Sequence, residues 1–233
     1  MTTIDYQARR GELQTYFDRT AVDAWARLTS TAPVSRIRAT VRAGRDSMRS
    51  TLLGFLPDDL GRARLLDAGC GTGALTLEAA HRGADVLAVD LSQTLVDLAR
   101  QRLSGQLRAG SIDFRVGDMF DPGLGTFTHV VAMDSLIHYR TEDVVRVLAG
   151  FAGRTERSIV FTFAPKTPAL ALMWAVGRLF PRSDRAPALE PISESSLRAR
   201  LAAEPALSGW RIGRTRRITS GFYKSQAMEL VRL

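Results

Sequence analysis

Residues 67–73 read Asp67-Ala68-Gly69-Cys70-Gly71-Thr72-Gly73. Three glycines at alternate positions let the backbone turn tightly and approach a ligand closely. Ahead of them residues 63–66 form a short apolar run read as a strand, and behind them Leu75, Leu77 and Ala80 continue as a helix. A strand that breaks into such a turn and then a helix offers the helix's unpaired N–H groups to whatever lies on the turn. Gly69, Gly71 and Ala74 also satisfy the dinucleotide fingerprint G-x-G-x-x-A. Asp67 separates the two readings, because a carboxylate at the strand end suits a cationic amino acid ligand and repels a pyrophosphate.

Outward from this turn, strands and helices alternate. Residues 85–89 read as a strand closing on Asp90, an acid placed to hold ribose hydroxyls. Ser92 caps a helix to residue 103. Residues 112–116 form a third strand before Gly117 and Asp118, and residues 127–133 a fourth that closes on Met133-Asp134. Thr141 is expected to cap a helix to residue 151, and residues 158–163 form a fifth strand. This alternation specifies a parallel, doubly wound α/β sheet. Two further strands, residues 210–218 and 223–232, bring the sheet to about seven.

The flanks are helical. Leu13, Tyr16, Phe17, Ala21, Trp25 and Leu28 recur at helical spacing, and a second helix over residues 35–56 carries Ile37, Val41, Met48 and Leu52 on its apolar face. Between Pro168 and Pro181, residues 169–180 read as a strongly apolar helix, and residues 194–203 as another.

Composition narrows the function. The chain has 233 residues, 45% of them hydrophobic and 24% charged, as in an ordinary globular protein. Its one cysteine, Cys70, excludes an intrachain disulfide and zinc sites built on several thiolates. The N-terminus lacks the apolar segment of a signal peptide, and the longest apolar run, residues 169–176, is far short of the roughly 20 residues that span a bilayer. A cytoplasmic protein is expected.

The net charge is +8, and of its 32 basic residues only Lys166 and Lys224 are lysine. Arginine suits bidentate recognition of carboxylates, and a GC-rich genome also favours it. The charge is unevenly spread: residues 1–60 carry +2, residues 61–150 carry −2 and residues 151–233 carry +8. A nucleic-acid-binding surface is not expected to segregate this way.

The D-x-G-x-G-x-G turn, the acid closing the second strand, Gly117-Asp118 and Met133-Asp134 together resemble the class I S-adenosylmethionine-dependent methyltransferases, a Rossmann-like fold. This resemblance implies that Asp67, Ala68, Gly69, Cys70, Gly71 and Gly73 line the methionine side of S-adenosylmethionine. It likewise places Asp90 and Leu91 at the ribose and adenine edge, Gly117, Asp118 and Met119 at the adenine, and Met133 and Asp134 at the sulfonium. For Cys70 a small buried filler is the preferred reading over a nucleophile.

Beyond the core, Tyr16-Phe17-Asp18, Trp25-Ala26-Arg27-Leu28, Val41-Arg42-Ala43-Gly44-Arg45, Leu136-Ile137-His138-Tyr139, Phe163-Ala164-Pro165-Lys166-Thr167 and Leu179-Phe180-Pro181 resemble the magnesium-protoporphyrin IX O-methyltransferases of bacteriochlorophyll synthesis, in their purple-bacterial branch. That resemblance implies esterification of a ring propionate, with magnesium carried by the substrate and no protein metal site. It also implies contact with a magnesium chelatase subunit; peripheral attachment to the inner or photosynthetic membrane is a further expectation. The Asn-Pro-Pro-aromatic signature of many nucleic-acid base methyltransferases is absent. The expected organisation is a helical cover over residues 1–60 that opens for substrate, a cofactor core over 61–165, a helical substrate-side insertion over 166–208, and completing strands over 209–233. Alternatives are a methyltransferase acting on a quinone-type substrate, a noncatalytic porphyrin carrier and, on net charge alone, an RNA methyltransferase.

The resemblance puts His138 near the transferred methyl. The functional tyrosine of the cyanobacterial and plant relatives corresponds to Thr29 here, leaving Tyr16 and Tyr139 as substitutes. A propionate with a pKa near about 4.5 is already ionised at pH 7, so no base is needed to create the nucleophile. An arginine bound to the reacting oxygen would favour the ground state over the transition state. His138 is therefore expected to orient the reacting carboxylate, and arginine to anchor the second propionate. Arg38, Arg42, Arg45 and Arg49 recur at steps of four, three and four and form one stripe on the second helix. Trp25 and Trp174 are expected to wall the macrocycle.

Overall fold

The computed structural model describes residues 36–166 and 189–233, and Gly11 by itself. Tyr16, Trp25, Thr29 and Trp174, with the helices expected over residues 11–28 and 169–180, lie outside the described residues.

In chain order the elements are α1 (Arg36–Leu53), β1 (Arg64–Ala68), α2 (Ala74–His81), β2 (Asp85–Asp90), α3 (Gln93–Leu103), β3 (Ser111–Val116), β4 (Phe127–Ala132), α4 (Thr141–Ala152), β5 (Thr155–Phe163), α5 (Glu194–Ala203), β6 (Trp210–Ser220) and β7 (Tyr223–Arg232). The seven strands lie in the order β3-β2-β1-β4-β5-β7-β6. Strands β1 to β5 run parallel, and β7 is antiparallel to both β5 and β6. The expected doubly wound mixed sheet is thus observed.

Side-chain alternation along the strands divides the core into two layers. Leu66, Val130, Ala132, Ile159, Phe161 and Met228 point to the face covered by α4 and α5. Leu65, Val86, Ala88, Val131, Val160 and Ala227 point to the other, where Met48, Leu52 and Leu53 of α1 and Ala79 and Ala80 of α2 cover them.

The described parts of the two flanks, residues 36–60 and 189–208, pack against the sheet. Met48, Leu52 and Leu53 are fully buried, and Arg214 of β6 donates to the Gly54 carbonyl at 3.0 Å and to that of Phe55. The C-terminal half of α1 is therefore core, and opening it would expose that apolar surface. Ile37, expected on its apolar face, is instead 56% exposed. Residues 194–208 likewise bury Leu197, Leu201 and Leu207 in the layer under α4, so this part of the expected insertion is sheet covering.

Ser92 caps α3 as expected, accepting from the Leu95 N–H at 3.2 Å. At α4 the cap position is Arg140 and Thr141 is the first helical residue, one place later than expected; Glu142 and Asp143 supply first-turn acidity instead.

Candidate active site

In a doubly wound sheet ligands bind beyond the carboxyl ends of the strands, where the strand order reverses. Here that point lies between β1 and β4. The loop after β1 is the glycine turn, and the loop after β4 begins at Met133.

The glycine turn is shaped by left-handed backbone. Gly69, Gly71 and Gly73 have φ of +85°, +54° and +78°. Gly69 is the most constrained, since a Cβ there would meet Ser135 Cβ at 2.4 Å. The Gly69 and Cys70 N–H groups donate to the Val89 carbonyl at 2.8 and 3.1 Å, pinning the turn to β2. Asp90 completes the tie: its carboxylate accepts the Gly71 N–H at 2.8 Å and the Ser92 N–H at 3.0 Å.

Asp67 is 1% exposed and turned inward, where it accepts the Thr76 hydroxyl at 2.6 Å. It thus ties the end of β1 to the first turn of α2. Burial pushes its carboxyl up to about 7, against the hydrogen bonds from Thr76 and with help from the nearby charge of Asp90.

Asp134 follows β4 with φ +54°, a left-handed conformation that Asp tolerates better than most residues. Its N–H donates to the Thr162 hydroxyl at 2.7 Å. Its carboxylate accepts from Arg45 at 2.8 Å, from the Tyr223 hydroxyl at 3.0 and 3.1 Å, from Thr162 at 3.3 Å and from Ser225 at 3.4 Å. Burial and the charge of Asp134 together raise the Tyr223 phenol above its ordinary range, so it stays protonated and donates. Tyr223 in turn fills the space over Gly44, where a Cβ would come within 2.6 Å of its ring.

Other expected residues are placed as follows. The Gly117 N–H donates to the Asp90 carbonyl at 2.9 Å, bringing the loop after β3 to the same edge, and Asp118 accepts the Phe120 N–H at 2.9 Å. Leu91 and Met133 are half-buried there. The side chains of Ala68 and Met119 lie in the core layer beneath, so Ala68 offers the crevice only its backbone. Cys70 is buried, and burial pushes its thiol well above its ordinary range, which fits a filler and not a nucleophile. His138 and Tyr139 are 8% and 3% exposed in the turn that follows β4, and the Tyr139 ring belongs to the core layer. The Ile137 carbonyl accepts the Glu190 N–H at 2.9 Å. The chain that leaves the described structure at Lys166 thus returns beside this turn.

The arginine stripe divides. Arg45 binds Asp134, whereas Arg49 binds Glu78 and Asp46 and so braces α1 against α2. Arg38 is exposed and Arg42 half-buried on the same helix.

Thr76, Ser135, Thr162, Tyr223 and Ser225 were not among the residues singled out in the sequence. Tyr223 had one available signal: a strand antiparallel to β5 begins at the ligand edge, so its first residues join the site.

The crevice suits S-adenosylmethionine. Three acids, Asp67, Asp90 and Asp134, close strands around it, matching a ligand that carries an ammonium and a sulfonium. The Ser135 Oγ is buried against the glycine turn with no hydrogen-bond partner, a vacancy for a polar ligand atom. Among the described residues no group of three His, Cys, Asp or Glu side chains could hold a metal ion.

Comparison with known proteins decides between methyltransferase families. The chain is 50% identical over 226 residues to the magnesium-protoporphyrin O-methyltransferase of Rhodobacter capsulatus, covering 97% of each. The chain belongs to the magnesium-protoporphyrin O-methyltransferase family. Residues 132–232 match the family model for the magnesium-protoporphyrin IX methyltransferase C-terminus, and residues 65–156 match a general methyltransferase domain. The chloroplastic magnesium protoporphyrin IX methyltransferase of Arabidopsis thaliana is 31% identical over 222 residues, 93% of this chain and 69% of that one. The crystal structure of the Synechocystis magnesium protoporphyrin IX methyltransferase with bound S-adenosylhomocysteine superposes with a TM-score of 0.81 at 29% identity, over 96% of this chain and 100% of that one. Together the two matched ranges run from the cofactor half through the His138 turn, β6 and β7.

Proposed function

We propose that the chain transfers a methyl group from S-adenosylmethionine to a propionate carboxylate of magnesium-protoporphyrin IX, giving the monomethyl ester. The observation that carries this is the extent of the family match, residues 132–232. It takes in the elements that differ among methyltransferases, where a match confined to the glycine turn would leave the substrate open.

When bound, S-adenosylmethionine supplies an electrophilic methyl group on a positively charged sulfur. Asp90, held at the end of β2 by the Gly71 and Ser92 N–H groups, would hold the ribose hydroxyls. Asp67 keeps the glycine turn in place through Thr76, and its ionised form would attract the ligand's ammonium. Gly117, Asp118 and Leu91 would border the adenine, and Met133 and Asp134 the sulfur end. His138 would orient the reacting carboxylate by hydrogen bonding without taking a proton, since the propionate is already ionised. Alignment of oxygen, carbon and sulfur is the main lever, worth up to roughly 7–11 kcal/mol, and a dry site adds to it because the opposite charges cancel in the transition state. Tyr16 and Tyr139 are the candidates for the phenol that Thr29 does not supply. Arg38, Arg42, Trp25 and Trp174 would receive the macrocycle and its second propionate.

In this reading the parts of residues 1–60 and 166–208 that do not cover the sheet frame the substrate around the core. The exposed arginines of β6, Arg211, Arg216 and Arg217, suit an acidic chelatase surface or an anionic membrane. No helix among the described residues is long and apolar enough to cross a membrane.

The test is incubation with methyl-labelled S-adenosylmethionine and, separately, magnesium-protoporphyrin IX, metal-free protoporphyrin, a quinone precursor and tRNA. Label is expected in the porphyrin ester. Absence of that ester together with labelling of another acceptor would overturn the reading.

A further inference from the structure

Asp134 holds two kinds of partner. Tyr223, Thr162 and Ser225 are neutral donors from β7 and β5, and they fix the carboxylate without cancelling its charge. Arg45 supplies the positive charge, from α1, across the crevice edge. The carboxylate side chain is 5% exposed and the guanidinium side chain 20%. The acid is therefore the fixed member of the pair and the arginine, on a long and partly solvated arm, the movable one. Three neutral donors allow Asp134 to exchange one cation for another without moving. The neighbouring Ser135 lies against Gly69, so the exchangeable face is next to the glycine turn, at the point where strand order reverses.

We propose that Arg45 is a positioning residue for the substrate's second carboxylate, and that Asp134 withholds it until the positively charged methyl donor takes its place as counter-ion. This rests on the reaction proposed above. With the donor in the crevice, its added charge shares Asp134 and weakens the hold on Arg45, whose guanidinium then turns to the unreacting propionate. In the transfer the carbon–sulfur bond breaks and an oxygen–carbon bond forms. The sulfur keeps the electron pair, and no proton moves. The sulfur charge is then gone, Asp134 is again short of a cation, and it draws Arg45 back from the ester. The same pair would favour substrate binding before transfer and product loss after it. A ligand shifts such an equilibrium only by its differential affinity for the two states, and the differential here is one unit of charge.

The experiment compares the affinity of the full-length protein for magnesium-protoporphyrin IX, by fluorescence titration, with neutral-sulfur S-adenosylhomocysteine and with sinefungin, which carries an amine in place of the methylated sulfur. Wild-type protein is expected to bind the porphyrin roughly tenfold more tightly with sinefungin, a typical coupling between sites. Asp134→Asn and Arg45→Gln should each bring that ratio to within about twofold, and Arg45→Gln should also weaken porphyrin binding with both nucleotides. Equal affinities in the wild-type protein, which need no variant to fold, would overturn the proposal. So would a ratio that survives in Arg45→Gln, because direct attraction between ligand charge and propionate would then account for it, or one that survives in Asp134→Asn. Normal ester formation with equal affinities removes this inference alone. No porphyrin binding and no ester formation removes the proposed reaction with it.

Discussion

Gly69 and Ser135 meet across the crevice so closely that a Cβ on Gly69 would lie 2.4 Å from the serine Cβ. With φ at +85°, Gly69→Ala combines backbone strain with a collision against the loop after β4. We expect a loss of about 2–4 kcal/mol of stability. Thermal melting would show it, and S-adenosylhomocysteine should no longer raise the variant's Tm. An alanine variant that melts and binds like wild type would show that the two loops are not in contact.

The pH dependence of ligand binding should follow Asp67. Its carboxyl is raised from 3.8 to about 7 by burial, so the folded protein retains a proton that the unfolded chain releases above pH 4. Ligand-free stability should therefore fall as pH rises from about 4 to 7 and level off above that. The ligand's ammonium favours the ionised form, so affinity for S-adenosylhomocysteine should rise with pH, by up to about tenfold per unit, and flatten near pH 7 to 8. Calorimetric titration from pH 5.5 to 8.5 checks this, and Asp67→Asn should remove the slope.

His138→Gln tests orientation against proton transfer. Glutamine preserves hydrogen bonding and lacks a titrating ring. Loss of a proton-transferring residue typically costs about 10²–10⁴-fold. The variant is expected to lose less than about 100-fold in kcat, with a pH-rate profile of unchanged shape. Loss of a limb from that profile would make His138 a base.

Arg214→Ala should destabilise the protein without touching the crevice. Arg214 meets Glu229 through its backbone N–H at 3.0 Å and its guanidinium at 2.7 and 2.9 Å. Burial alone would raise the Glu229 carboxyl, but these hydrogen bonds and the charges of Arg214 and Arg211 hold it below its ordinary value. In wild type that stabilisation is present above the unfolded pKa and lost as pH falls through the folded one. The variant removes the guanidinium from a buried carboxylate and leaves it the residue-214 N–H, a cost of about 2 kcal/mol, below that of a fully buried pair because the arginine head is half exposed. The Tm gap between variant and wild type should narrow from pH 7.5 to 5, as protonation relieves the orphaned acid.

The parts legible in the sequence were those set by local spacing. The glycine turn, Asp90 and the alternation of strands with helices each follow from residues close together in the chain. The setting of Asp134 does not. Its partners come from Arg45, Thr162, Tyr223 and Ser225, up to 91 residues away, and depend on strand order and on the register that pairs Phe163 with Gln226. No periodicity announces a tyrosine at the start of a last, reversed strand. The arginine stripe was visible as a stripe, but its division between a crevice pair at Arg45 and a helix brace at Arg49 depends on where α2 and β4 end. Asp67 shows the same limit from the other side. Its position was read correctly as a strand end, whereas its inward turn onto Thr76 depends on how α2 begins.

The chain that leaves at Lys166 and returns by Ile192 is closed at its neck. The Lys166 N–H bonds the Ile192 carbonyl and the Ile192 N–H the Ala164 carbonyl, each at 2.8 Å. Such a clasp fixes both ends of the intervening stretch independently of what lies between them, and the closure entropy of a longer or shorter stretch changes only slowly with its length. The frame is therefore closed on itself at Ala164, Lys166 and Ile192, whatever the stretch between them contains. Under the proposed function, a change of length or sequence there would leave the glycine turn, Asp90 and Asp134 in place, because none of them depends on that stretch for the bonds that hold it.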